Sequence, residues 1–223
     1  MIKLENVVLA SPEQMEFIIQ GMRNPMNSWE KSDSRYACLC RDDIHNCPKG
    51  GLVVCENDLD LMQRLANAGT DHRKFMRMMP VYVRITAPLY WWKEFDTYKV
   101  GTIANSCSTM HKIHDKEFTL DDFSHEHLNT YNSLYSLGDI IKILNSARER
   151  FLDTNEKTIW WHMIQLLPNS YNQTRNVMMN YEVLSNIYKS RKNHKLDEWR
   201  ELCKWIETLP YSALITGCDI KEE

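Results

Sequence analysis

Between Phe95 and His114 the chain reads FDTYKVGTIANSCSTMHKIH, a segment rich in small hydroxyls, with an asparagine, a cysteine, lysine and two histidines but few large aliphatics. Such a set can line a site or fill a polar turn. Ser108, in NSCSTMH, carries a hydroxyl able to hold a phosphate, and the same residue also reads as the cap of an ordinary turn. Lys99 can meet a phosphate as a point charge, without the two-pronged grip of arginine. His111 and His114 add cationic character. A serine–histidine nucleophile pair lacks a third, orienting group, which excludes a hydrolase.

A second set lies further on. The pattern Val177, Tyr181, Leu184 and Tyr188 predicts a helix from Asn176 to Arg191. On it, Asn180 and Arg191 stand three turns apart at about 3.6 residues per turn, on one face and about 16 Å apart along the axis. Asn186 projects away from that line. Arg191 can offer a planar fork to a ligand or cap the helix C-terminus, where a cation is favoured.

The elements that must hold these residues alternate between strands and helices. Ile2–Ala10 reads as a strand, and Ser11-Pro12-Glu13-Gln14 as a capping box opening a helix to about Met22. Asn57-Asp58 is read as the cap of a helix with Leu59, Leu61, Met62, Leu65 and Ala66 on its apolar stripe, stopped by Gly69. Val81, Val83 and Ile85 alternate as one face of a strand, and Pro88 starts a helix that delivers the chain into the Phe95–His114 segment. Helices are also predicted over Gly138–Asp153, from Thr154 with Ile159, Trp160, Met163 and Leu167, and over Asp197–Leu209. Rigid elements followed by a polar segment suit a site.

The whole chain has 223 residues and a formal net charge of -3, which predicts one medium domain. No basic run tracks a phosphate backbone, so nucleic acid is not expected as a partner. No apolar run reaches a membrane span, and the N-terminus lacks the features of a signal peptide. Seven cysteines, an odd number, read as reduced thiols in a cytoplasmic protein. An irregular excursion at about 24–56 holds Cys38, Cys40, Cys47 and Cys55, whose spacing departs from paired zinc knuckles. No metal site is assigned, and a zinc-stabilised interaction module is the weakest of three readings.

Two places resemble one family, the flavin-dependent thymidylate synthases. Ile85-Thr-Ala-Pro-Leu-Tyr-Trp-Trp-Lys-Glu-Phe is similar to the strand-to-helix lead-in of that family's signature, R-H-R-x-x-S-x-x-x-x-S-x-R. In that register Thr97-Tyr98-Lys99 replaces Arg-His-Arg, and Thr102 falls on the first serine. With one extra residue before Asn105, Ser108 falls on the second serine and Met110 on the last arginine. The second place is Leu167-Pro168, then Asn180, Leu184, Asn186, Arg191, His194 and Glu198, with Arg191 to His194 one residue shorter than in the family. Weaker agreement covers the helix ending at Gly69, and His72. Elsewhere the chain departs: Glu94 stands for a glutamine, Ile164 for an arginine, and Arg77-Met78 for a Glu-His pair.

The resemblance implies a helix-rich α/β (α+β) fold with a small sheet, the mixed thymidylate-synthase-complementing architecture, across residues 1–223. It implies reductive methylation of dUMP or a related pyrimidine nucleotide, with FAD as cofactor and NADPH and methylenetetrahydrofolate as cosubstrates. The implied roles are Ser108 in catalysis; His72, Tyr98, Lys99, Asn180 and Asn186 at the cofactor; and Glu94, Lys99, Asn105, Ser108 and Arg191 at the nucleotide. Cys107 is a further nucleophile for a pyrimidine ring, though no activating base neighbours it. Flavin sites in the family form between subunits, so a homotetramer is expected. The second reading is a nucleotide- or flavin-binding or structural protein that keeps the scaffold without the reaction.

Overall fold

The computed structural model describes residues 1–37 and 51–217. Cys38, Cys40 and Cys47 of the zinc reading lie outside the described residues, and no group of metal-ligating side chains forms among those described. In order, the elements are β1 (Lys3–Leu9), α1 (Pro12–Arg23), β2 (Arg35–Ala37), β3 (Gly51–Val53), α2 (Glu56–Asn67), β4 (Pro80–Pro88), α3 (Leu89–Phe95), β5 (Ile103–Ser106), α4 (Tyr131–Thr154), α5 (Lys157–Leu166), β6 (Asn172–Asn180), α6 (Tyr181–Arg191), α7 (Asp197–Glu207) and α8 (Ala213–Thr216). A four-stranded sheet has the order β1-β4-β6-β5, and β2 pairs antiparallel with β3, Tyr36 opposite Leu52. The fold is the mixed, helix-rich class with a small sheet that the sequence predicts. No helix among the described residues is long and apolar enough to cross a membrane.

The chain divides into two compact units. One comprises Met1–Asn6, Val83–Lys99 and Ala104–Val177. Its core joins Ile113, Phe118 and Phe123 to Leu137, Leu144 and Ala147 of α4 and to Ile159 and Met163 of α5. On α4 the apolar slot falls to Leu144, fully buried, while Ile143 is 53% exposed. The helix starts seven residues before the predicted Gly138, because Thr130 caps it by accepting from the Ser133 N–H at 3.3 Å. Thr154 ends α4 rather than opening the next helix. Asn155 then takes a left-handed conformation at φ 53°, which reverses the chain into α5.

The other unit comprises the described residues of Val7–Tyr82, Val100–Ile103 and Met178–Glu223. Helix α6 packs against α7, α8 and the 3₁₀ turn Arg73–Met78, which also meets α1 and α2. The predicted capping box holds: Ser11 Oγ accepts from the Gln14 N–H at 3.2 Å, and Gln14 Oε1 accepts from the Ser11 N–H at 2.8 Å. The cap predicted for α2 does not. The helix begins a turn earlier, at Glu56, and its Asn57 and Asp58 N–H groups donate to Asp33 at 2.9 and 3.2 Å. A carboxylate brought from elsewhere in the chain thus caps α2, freeing Asp58 to point inward.

Asp58 is fully buried beside Arg23, whose Nε donates to it at 2.6 Å. Ser32 Oγ, Ser34 N and Ser34 Oγ donate to its other oxygen at 2.7, 3.1 and 2.6 Å. Burial opposes ionisation here, but the bonds from Ser34, Ser32 and Arg23 outweigh it and hold the carboxyl below its ordinary pKa.

Candidate functional site

Of the Phe95–His114 segment, the first unit holds Phe95–Lys99, which ends in a 3₁₀ turn, and Ala104–His114, which comprises the rest of β5 and a following turn. Helix α3 anchors its start: Trp91, Trp92 and Phe95 are buried, with Trp91 stacked on Phe95 at 5.0 Å and Trp92 edge-on to Phe95 at 5.2 Å. The Trp92 indole N–H donates to the Gln173 carbonyl at 2.9 Å, tying α3 to β6. Beyond β5, the Cys107 N–H donates to the Thr174 carbonyl at 2.9 Å, and Gln173 Nε2 donates to the Cys107 carbonyl at 2.8 Å. Ser108 is therefore held by a backbone fixed on both sides of Cys107.

Around it lies a cavity of 230 Å³, lined by Thr86, Cys107, Ser108, Thr109, Lys116, Asp121, Asp122 and Tyr171–Thr174. Hydroxyls, the amides of Asn172 and Gln173 and one ion pair, Lys116 with Asp122, dominate it. Thr86 and Thr174 share a hydrogen bond at 2.7 Å. Burial, and then the charges of Asp122 and Cys107, raise the Tyr171 pKa above its ordinary value. Its hydroxyl is a donor to a ligand oxygen at neutral pH. The Ser108 hydroxyl accepts from the Met110 and His111 N–H groups at 3.2 and 2.9 Å. Ser108 thus caps its turn, as one sequence reading has it, and also lines the cavity.

The other residues predicted from this segment lie outside that lining. Glu94 is half-buried on α3, and its carbonyl accepts from the Thr97 hydroxyl at 2.8 Å. Tyr98 ends the 3₁₀ turn with its ring 6.5 Å from Phe95; Lys99, next along, is exposed, as is Asn105 on β5.

Sequence reasoning missed Arg175. On β6 its guanidinium lies over the Trp92 ring at 4.2 Å, while Nη1 donates to Asp96 at 3.0 Å and Nε to Gln173 Oε1 at 3.0 Å. Three planar partners set its orientation, and its side chain is 15% exposed. The available signal was the alternation of Gln173, Arg175, Val177 and Met179.

In the second unit the predicted helix from Asn176 is corrected. Strand β6 runs through Asn180, and α6 begins at Tyr181. Asn180 is its N-cap, Oδ1 accepting from the Val183 N–H at 3.0 Å, so it shares no helical face with Arg191. Its amide nitrogen faces Gly101, whose φ is +79°; a Cβ there would stand 3.1 Å from Asn180 Nδ2 and from Val183 Cγ2. Arg191 lies in the last turn of α6 with its guanidinium over the Trp199 ring at 4.7 Å. His72 is exposed at the start of the 3₁₀ turn.

Asn186 has a different setting from the one its predicted role suggests. Its Oδ1 accepts from Arg73 Nη2 at 3.3 Å. Arg73 Nε donates to Glu182 at 3.2 Å, and Arg77 pairs with the same carboxylate. Burial works against the Glu182 charge, but Arg77 and then Arg73 prevail and keep its pKa below the ordinary value.

With this geometry, the chain has the fold of flavin-dependent thymidylate synthases and a related pyrimidine-nucleotide methylase. Thymidylate synthase X from Helicobacter pylori, solved with FAD and dUMP, matches with a TM-score of 0.62 at 16% identity, covering 96% of this chain and 95% of that one. A second structure of that enzyme, also complexed with FAD and dUMP, gives 0.62 at 16% identity over 97% and 98% of the two chains. The UMP/dUMP methylase PolB from Streptomyces cacaoi, bound with 5-Br dUMP, gives 0.61 at 13% identity over 97% and 95%. No family profile and no curated protein sequence matches the chain. The sequence resemblance is therefore met at the level of the fold, and the scaffold is one used by enzymes.

Proposed function

We propose that residues 1–223 form one flavin-dependent thymidylate-synthase-like domain that methylates dUMP or a related pyrimidine nucleotide reductively, with FAD, NADPH and methylenetetrahydrofolate. The observation that carries the reading is the fold likeness over nearly the whole chain to structures holding FAD and dUMP or a dUMP analogue. The residues retained at the site agree with it. Arg191, its plane set by Trp199, is suited to a pyrimidine edge, and the Asn180 amide nitrogen and exposed His72 are suited to a flavin. Ser108, Tyr171 and Lys116 offer donors for a nucleotide phosphate or carbonyl, with Lys99 as a second cation. Glu94 and Asn105 stay assigned to the nucleotide and Tyr98 to the cofactor.

FAD, when bound, supplies the hydride chemistry; the protein's part is to hold the nucleotide ring, anchor its phosphate and exclude water. The reading includes a homotetramer in the cytoplasm. The four exposed residues of β5 and the exposed Val100, Tyr131 and Tyr135 suit subunit contacts. A nucleotide- or flavin-binding protein that has lost the reaction is the second reading. It is favoured by the Glu182 cluster, where Arg73 and Arg77 are already engaged by a carboxylate.

The test is a visible absorption spectrum after incubation with FAD and desalting. A retained flavin band, perturbed by dUMP in the native chain and not in Arg191→Ala, is the expected outcome. No retained flavin in the native chain would reject the enzyme, and an unchanged dUMP titration in Arg191→Ala would remove that residue's role.

A further inference from the structure

A second cavity in the first unit shares no lining residue with the one around Ser108. Its volume is 300 Å³, and its walls are His111, His114, Phe151, Asn155, Lys157 and Trp160. The last turn of α4 supplies Phe151, and the left-handed Asn155 turns the chain so that Lys157, the first residue of α5, faces the same space as Trp160 one turn on. The loop after the Ser108 turn adds the two histidines.

Several of these groups are fixed without a ligand. The Trp160 indole N–H donates to the Met110 carbonyl at 3.1 Å, which satisfies its polar edge and leaves its ring to the cavity. The His114 ring packs edge-on to Phe151 at 4.8 Å, and its carbonyl accepts from Arg148 Nε at 2.9 Å. Yet His114 Nδ1 is buried with no partner. A buried ring nitrogen left unpaired carries an unrecovered desolvation cost, so the His114 ring sits in this wall without being fixed by a bond at Nδ1.

The charges are one-sided. Three basic side chains line the cavity and no carboxylate does. Neither the His111 ring nor the Lys157 ammonium has a hydrogen-bond or ion-pair partner among the described residues. Asp115 stands beside the cavity, 3.6 Å from His114 Nε2, and is shared with Lys112 at 3.2 Å. Two aromatic walls with a lysine and two imidazoles match a flat ring bearing a negative group.

We propose that this cavity binds a small planar aromatic anion, an aryl carboxylate or aryl phosphate. The ring lies against Phe151 and Trp160, and the anionic oxygens meet Lys157 and the two histidines. The site does not depend on the pyrimidine chemistry above.

The test titrates the whole protein, with ¹³C-labelled histidine, against 2-naphthoate, 2-naphthyl phosphate, neutral 2-naphthalenemethanol and inorganic phosphate, following the His111 and His114 ring signals. The expected result is saturable movement of both signals with at least one naphthyl anion. Binding should be roughly tenfold weaker for the neutral analogue, for inorganic phosphate and for Lys157→Ala, the loss of one charge-assisted contact. Lys157 is exposed, so its replacement leaves the fold intact. Saturation by only one anion assigns the carboxylate or the phosphate. Neither anion saturating at millimolar concentration, or equal affinity for the neutral analogue or in Lys157→Ala, overturns the proposal.

Discussion

Asp58, itself buried, gathers donors from Arg23, Ser32 and Ser34, and removing its charge would leave a buried guanidinium without its counterion. Asp58→Asn should therefore destabilise the protein by about 3 kcal/mol or more, read from urea unfolding. The pH dependence has a definite sign. A carboxyl whose folded pKa lies below its unfolded value of about 3.9 gives stability that is present above that value and lost as pH falls through the folded one. The variant should lose this part of the acid limb; an unchanged acid midpoint and unchanged stability would refute the assignment. At this scale the sequence made chemistry legible but not allegiance. It picked Ser108 and Asn180 by residue type, yet hydrogen bonds to their own turn or helix partly occupy both. It placed Asp58 at a helix cap because nothing in local sequence foretells that Asp33 would take that role from a separate turn.

At the scale of elements, β6 was the misreading that mattered. Val177, Tyr181, Leu184 and Tyr188 recur at helical spacing, but the first belongs to a strand and the rest to the helix that follows. The strand's own signal, Gln173, Arg175, Val177 and Met179 facing one way, is masked because two of its inward residues are polar. Those two are hydrogen-bonded to each other, and Gln173 also holds the Cys107 carbonyl, so polar positioning contacts hid the pattern. By contrast, the start of α1 was legible to the residue because its capping box is purely local. The cap at Asn180 makes a prediction about Gly101. A left-handed backbone pressed on that cap should make Gly101→Ala cost about 1–2 kcal/mol, with faster amide exchange in the first turn of α6. Wild-type stability and exchange in the variant would show that the contact yields freely.

For the whole molecule, fold class was legible because two separated stretches, the Ile85–Phe95 lead-in and the run from Leu167 to Glu198, carry the resemblance and frame most of the chain. The proposed assembly rests on that resemblance alone. The surface that suits it is the edge of the sheet: all four residues of β5 are exposed, with Ile103 at 66% and the adjoining Val100 at 93%. If this edge lies between subunits, Ile103→Lys should convert the assembly to smaller species by light scattering, with far-ultraviolet circular dichroism unchanged. An unaltered mass would place the contact elsewhere.

The same edge bears on how the protein is lost from solution. An open strand margin with no charged side chain is a template for indiscriminate pairing, and a partner subunit that covers it also shields it. Uncovered chains are then the only feed for precipitation. Once the protein is concentrated enough to assemble, their number rises slowly with further addition. Insolubility should accordingly level off as concentration climbs, whereas an ordinary sticky surface would worsen steadily, and correct association would serve this chain as its own chaperone.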